Sequence, residues 1–548
     1  MELEIGYVFT DNCVLQRDKV IRVFGTAACN GLVTAELFDG DDRFAGGSGK
    51  ALQDGRFCVD IPPVPAGGPY RLLVSCGGES VELKNVMVGD VWLAGGQSNM
   101  EFQLKDCHDL PELLKVFEES KKAGNAPGTQ TTCALDKVRF YAVPEVSVLD
   151  EEGVNLHKSA KWQVCSKEVL PQWTAVATFF AEKVARETGV CVGIIDCNWG
   201  GTSASAWMDE ETLKSSSATT VYFDDYREKY DGDYEKYLRE LADYNAYSAE
   251  WEPKKDALYK ERPDIGWNEV EELLGPCRWQ GPIGPKSPFR PCGLYSTMLC
   301  TCAPYSLRGF IYYQGESDDI HPQVYDTLLT NMIGLWRKTF MDLDLPFVFV
   351  QLPTFVNRDD PDLTTWGSIR KCQENVARTV KNAYMAVTLD LGTYNNIHPP
   401  KKKGVGERLA DLALSCVYGL KDEASVTGPF VKDAVKTGDS IVISFKNAPL
   451  GLDIGAVAEN YDIPEGYADR FYDALECPPE FIRGFEIAGS DGVFCPADVK
   501  VVGTGEDQRF VLSAPGLEAP CHAAYGRHNW QVTTVFGKNG LPLAPFTV

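Results

Sequence analysis

The strongest constraint on this chain is a rhythm that starts near residue 89. Short apolar runs, several closing in a turn rich in Gly, Ser or Asn, alternate with stretches of helical periodicity. The runs span 88–96, 190–197, 307–313, 346–352 and 383–390, and helical stretches such as 175–188 and 325–340 lie between them. Parallel neighbours need a long crossover, usually a helix, so this alternation predicts an α/β domain with a parallel sheet. In such sheets chemistry gathers at the C-terminal ends of the strands, and the Gly-rich turns fall there.

The flanks follow a different grammar. Residues 20–25, 32–38 and 70–75 alternate in polarity or are β-branched, and Asp39-Gly40, Asp54-Gly55 and Ala66-Gly67-Gly68-Pro69 punctuate them as turns. Residues 1–88 therefore read as a small β-sandwich. Residues 213–289 are rich in Tyr, Asp, Glu and Lys, and 222–274 read as polar helices. They fit either a substrate-covering insertion or plain surface helices. After about 425 strands return, at 440–445, 499–502 and 510–512. The expected layout is an N-terminal β-sandwich over 1–88, an α/β domain in two parts (89–212 and 290–424), a helical insertion over 213–289 and a C-terminal β-domain over 425–548.

Charge and cysteines narrow the setting. The 53 basic and 78 acidic residues give a net charge of −25. Such a surface repels phosphate backbones and anionic lipid heads, so neither nucleic acid nor a membrane surface is the expected partner. A local pocket could still hold one carboxylate. No run approaches the ~18 apolar residues of a membrane span. The acidic start, Met1 to Tyr7, lacks the basic and apolar regions of a signal peptide. Of the 18 cysteines none forms a C-x-x-C pair, and the tightest spacing, Cys300 to Cys302, is too short for a usual zinc knuckle. Cys58, Cys191 and Cys416 sit in apolar runs and read as buried, reduced side chains. The expectation is a cytoplasmic protein, or a secreted one if a signal was removed ahead of this numbering.

Four segments could carry chemistry. In Gly95-Gly96-Gln97-Ser98-Asn99-Met100 a serine follows a buried strand. A strand-to-helix turn exposes its hydroxyl and frees its N–H, which suits a nucleophile, although the same serine could be a helix cap. Asn198-Trp199-Gly200-Gly201-Thr202 opens a second turn, whose paired glycines could aim an N–H into a cleft or only allow the turn. Gln314, in Tyr312-Tyr313-Gln314-Gly315-Glu316-Ser317-Asp318, could donate two amide hydrogens to a developing oxyanion or merely be solvated. His398 follows the last run in a Pro-flanked turn, Asn395-Asn396-Ile397-His398-Pro399-Pro400. An imidazole is the usual base for a serine hydroxyl.

Taken together, the chain resembles the sialate O-acetylesterases, a branch of the SGNH hydrolases. The resemblance rests on Gly96 to Met100, Asn198 to Thr202 with Ala206-Trp207-Met208, Tyr313 to Ser317 and Ile397-His398-Pro399. It continues through 366–373, 385–392, 484–489 and 540–546, and so covers nearly the whole chain. It implies a three-layer α/β/α hydrolase domain with Ser98 as nucleophile and His398 as general base. Ser98, Gly201, Gly200 and Gln314 would form the oxyanion hole. Gln97, Asn99, Trp199 and Glu316 are candidates for substrate contact, and Arg370 for pairing with a substrate carboxylate. The resemblance implies no cofactor and no metal, and an O-acetylated sugar as substrate. The favoured substrate is sialic acid acetylated at the 9-hydroxyl. Acetylated xylan or another plant glycan is the alternative, and a carbohydrate-binding member with weak catalysis is a third reading.

One departure matters. Many members carry an aspartate two or three residues before the histidine, where this chain has Asn396 and Asn395. In serine proteases an aspartate-to-asparagine exchange costs ~10⁴ in turnover. A backbone carbonyl could orient His398 instead, leaving a working dyad. Another carboxylate, such as Asp390, could supply the charge, or the member could be slow.

Overall fold

The computed structural model describes the chain outside residues 1, 124–132, 263, 264, 266, 357–363, 395 and 456–483. A mainly parallel sheet carries the four motifs. Its strands are β1 (Glu79–Gly96), β2 (Val138–Ala142), β3 (Gln163–Val164), β4 (Val192–Asn198), β5 (Gly309–Tyr313), β6 (Phe347–Val350) and β7 (Ala383–Ala386), in the order β3-β2-β4-β1-β5-β6-β7. All neighbours are parallel except the edge pair β2/β3. From β1 the chain first builds one side of the sheet (β2, β4) and then the other (β5, β6, β7). β1 is thus the switch point where order reverses, the place such sheets favour for a site.

The sequence explains why these runs are strands. From Val88 to Gly96 β1 is buried at every residue, as a strand covered on both faces must be. Helices α1 (Ser98–Glu101), α2 (Ala175–Thr188), α3 (Val221–Lys229), α4 (Tyr234–Glu261), α5 (Trp267–Leu274), α6 (Tyr325–Thr339), α7 (Thr365–Thr379) and α8 (Lys403–Cys416) complete the part that concerns the site. α2 lies on α8 and β4, while α6 lies on α7, and α7 on β7. The stretch at 175–188 forms the expected helix, with Val176, Phe179, Phe180 and Val184 in the core. The last run differs from expectation. β7 stops at Ala386, and Leu389–Leu391 is a single 3-10 turn. Its neighbour β6 ends at Val350 and Pro353, which lacks an N–H, follows soon after, so no ladder continues.

At the N-terminus, Glu4–Ile5, Ile21–Thr26 and Arg56–Ile61 form a three-stranded sheet. Leu32–Asp39, Asp42–Lys50 and Gly67–Cys76 build outward from the first half of β1. β1 therefore runs unbroken through residues 88 and 89 and belongs to both regions. One apolar cluster includes Val23, Ile61 and Val86 together with Val91, Ile311 and Phe349. After 425 the chain forms two four-stranded antiparallel sheets and a strand pair around a second cluster with Ile443, Phe485, Phe510 and Tyr525. The described cysteines are all free thiols. Cys191 is buried, but Cys58 is exposed, because alternation along Arg56–Ile61 turns it outward. Cys416 is only half-buried. Among the described residues no helix is long and apolar enough to cross a membrane.

Candidate active site

Strand register brings three motifs side by side. Gly96, at the end of β1, pairs with Asn198 of β4 on one side and Tyr313 of β5 on the other. Ser98, Trp199 to Gly201 and Gln314 to Glu316 thus leave three adjacent strand ends together. Gly96 has φ +143°, and a Cβ there would collide with the Tyr313 carbonyl oxygen. Only glycine permits this turn. It lets Gln97 N–H bond Tyr313 O at 3.1 Å and starts α1 at Ser98.

The fourth motif closes the group. His398 Nε2 lies 2.8 Å from Ser98 Oγ, although 300 residues separate them. Burial, followed by the charges of Lys402 and Lys255, pulls the His398 imidazole well below its usual range. The ring is therefore neutral near pH 7 and able to take the serine proton. The side chain of Asn396 accepts a bond from His398 N–H at 2.9 Å, so it fixes the backbone of the histidine. Asn395 lies outside the described residues. Asp390 is engaged elsewhere, with Arg408 Nη1 and Nη2 each 2.6 Å from its two oxygens. The expectation that it supplies charge to His398 is corrected accordingly.

Asn99 is the knot between motifs. Its Nδ2 donates to Glu316 Oε1 at 2.7 Å and to Ile397 O at 2.9 Å, while its Oδ1 accepts from Lys402 Nζ. Asn99 is 1% exposed, so it holds motifs together instead of reaching substrate. Burial raises Glu316 to about 7 and lowers Lys402 to about 7, each partly offset by the other's charge. Gln97 is likewise buried, and its Oε1 accepts from Ser317 N–H at 3.2 Å. Trp199 is half-buried, and its N–H meets Gly96 O at 3.3 Å. Lys402 was invisible in the sequence, because a run of three lysines gives no sign that the middle one is buried.

The expected oxyanion donors divide. Gly200 N–H is taken by the Glu101 carboxylate. Gln314 is 1% exposed, and its Nε2 donates to Asp318 Oδ2 and to Thr202 O at 3.3 Å. Both amide hydrogens are spent, so Gln314 braces the turn and does not face the serine. Ser98 N–H and Gly201 N–H are the two of the set with no acceptor among the described residues. Asp318 is the hub the sequence reading passed over. Fully buried, it also accepts from Ser203 Oγ (2.6 Å), Ala204 N–H (3.0 Å) and Tyr222 OH (2.7 Å). Arg370 is corrected as well. It is 0% exposed and donates to the carbonyls of Pro353 (3.3 Å), Gly526 (3.1 Å) and His528. These bonds clamp the C-terminal region to α7.

The site can be set beside known proteins. Residues 290–415, which include Gln314, Glu316 and His398, match the family model described as carbohydrate esterase, sialic acid-specific acetylesterase. Mouse sialate O-acetylesterase is 24% identical over 461 residues, spanning 78% of this chain and 76% of that protein. The rat enzyme of the same name is 25% identical over 466 residues, with the same coverage. Over this span and against these relatives, the chain is similar to the sialate O-acetylesterases. Among solved structures, a carbohydrate acetylesterase from Xanthomonas citri aligns over 100% of this chain and 99% of its own, with a TM-score of 0.69 and 25% identity. As a sialate O-acetylesterase relative, the chain is a carboxylic ester hydrolase acting on O-acetyl esters.

Proposed function

We propose that the protein removes acetyl groups from O-acetylated sialic acid, with the 9-O-acetyl ester as preferred substrate, through a Ser98–His398 dyad. The 2.8 Å contact between Ser98 Oγ and His398 Nε2 carries this reading. Ser98 Oγ attacks the ester carbonyl while His398 Nε2 takes its proton. The bond to the sugar oxygen breaks, the proton passes to that oxygen, and an acetyl-enzyme remains. Water, deprotonated by His398, then releases acetate and restores the serine. Ser98 N–H and Gly201 N–H face the developing oxyanion, and each such donor is worth roughly 2.7–4 kcal/mol of barrier. No carboxylate stands behind the histidine among the described residues, so the depressed pKa of the ring is what keeps it a proton acceptor.

In this reading the pairs α2/α8 and α6/α7, each packed together, cover opposite faces of the sheet. That is the three-layer SGNH arrangement, with β-domains before and after it and the 213–289 insertion between its halves. A second substrate reading, a neutral plant glycan such as acetylated xylan, is supported by the burial of Arg370, which donates to backbone carbonyls of the protein.

Acetate release from 9-O-acetyl-N-acetylneuraminic acid tests the reading. The parent chain is expected to release acetate and Ser98→Ala to lose at least 10³-fold, the scale set by losing the nucleophile. Release from acetylated xylan alone would transfer the assignment to the neutral glycan.

A further inference from the structure

The insertion reaches the site from two directions. Gly201 has φ +72°, and a Cβ on it would lie 2.5 Å from the Trp279 ring and 3.2 Å from Phe289. The glycine makes room for an indole brought by the insertion. Next to it, a Cβ on Gly200 would stand 3.3 Å from Ser98 Cβ. Trp279 is therefore held two short contacts from the nucleophile, its ring 6.1 Å from that of Phe289. Even so, it is 62% exposed. An indole fixed on one side and bare on the other is a flat apolar surface with an N–H at its rim. Lys255 of α4, also in the insertion, is near enough for its charge to act on His398.

Beside the indole a cavity opens between Gly201 and the insertion, walled by Tyr226, Lys229 and Gln280. Its acids are already engaged. Asp225 lies 2.7 Å from His321 Nε2, and on the same helix Asp224 pairs with Arg227 at 2.6 Å. Lys229 is the cation on this wall, and it is exposed. An apolar face with a few convergent polar groups is the usual make-up of a small-molecule site.

We propose that Trp279 and Lys229, brought by the insertion, complete the substrate pocket: Trp279 is the stacking face for the sugar ring whose acetyl ester reaches Ser98, and Lys229 recognises a carboxylate on that ring. The assignment rests on the esterase reading above and gives the carboxylate an exposed partner, whereas Arg370 is buried against backbone carbonyls.

The test compares kcat/KM on 9-O-acetyl-N-acetylneuraminic acid, on acetylated xylo-oligosaccharide and on 4-nitrophenyl acetate, using the full chain. Trp279→Ala is expected to lower the ratio of sialate to nitrophenyl ester at least tenfold, chiefly through KM. Lys229→Gln is expected to lower the ratio of sialate to xylo-oligosaccharide at least fivefold at low salt. A ratio preserved within twofold in either variant overturns the role given to that residue. Saturation-transfer NMR with N-acetylneuraminic acid on Ser98→Ala separates the two readings. Saturation of the sugar ring, lost in Ser98→Ala/Trp279→Ala, supports the subsite even if the parent releases no acetate, an outcome that would sink only the esterase reading. Equal saturation in both proteins, or none in either, overturns the subsite.

Discussion

At the residue scale, His398 meets Ser98 with no carboxylate paired to the ring among the described residues. Asn396 spends its side chain on the His398 N–H, and Asp390 spends its own on Arg408. What sets the ring's protonation is burial and the Lys402 charge, held in place through Asn99. A lowered imidazole pKa keeps the base unprotonated in mild acid, so the acid limb of kcat/KM should fall below pH 6. Removing the Lys402 charge removes one influence that lowers the pKa. Lys402→Met should thus raise the His398 pKa and move that limb to higher pH by at least half a unit, read from a pH–rate profile on 4-nitrophenyl acetate. The nearness of Ser98 and His398 was an expectation the sequence allowed, Ser98 because its turn closes a buried strand and His398 because its turn is Pro-flanked. Gln314 and Arg370 were misread because residue type tells what a group can donate and not what has already taken it.

At the scale of elements, the site is a meeting of turns, and Asp318 is what fastens them. It receives bonds from the turn after β4, from the turn after β5 and from Tyr222 of α3. Asp318→Ala would leave Gln314, Ser203 and Tyr222 with buried unpaired groups, each costing about 1–3 kcal/mol. The expected result is a lower thermal midpoint together with a more than tenfold loss of kcat/KM on a sugar acetate. Stability intact with full activity would contradict this. The strands and the helix at 175–188 were readable, since burial on both faces and a 3.6-residue period leave plain marks. The insertion was not, because polar helices look alike whether they cover a substrate or face water. The sign that links it to the site is one glycine, Gly201, whose missing Cβ admits Trp279.

At the scale of the whole molecule, the outer β-regions hold the loops of the site. The C-terminal region grips α7 through Arg370, and Trp530 packs edge-on against Tyr394, just before the histidine turn, at 5.2 Å. Glu486, 1% exposed, anchors this end with Arg527 Nε at 3.0 Å and His528 Nε2 at 3.1 Å. Burial alone would raise its pKa, but the His528 and Arg527 contacts hold it below the usual carboxylate value. Its contribution is therefore present above the unfolded value near pH 4.3 and fades as pH falls through the folded one. Glu486→Gln should cost about 2 kcal/mol at pH 7 and clearly less at pH 4, measured as thermal midpoints at both. The first region is joined more intimately still. β1 enters as part of the N-terminal sheet and ends beneath Ser98, with buried Asp90, midway, tied to Arg17 Nε at 3.0 Å. Residues 1–88 are consequently no cassette that breeding or engineering could exchange. A cut at 88/89 would sever the central girder of the hydrolase, so shortened or chimeric versions of this chain have to respect a junction that lies ahead of residue 79 or not exist as catalysts at all.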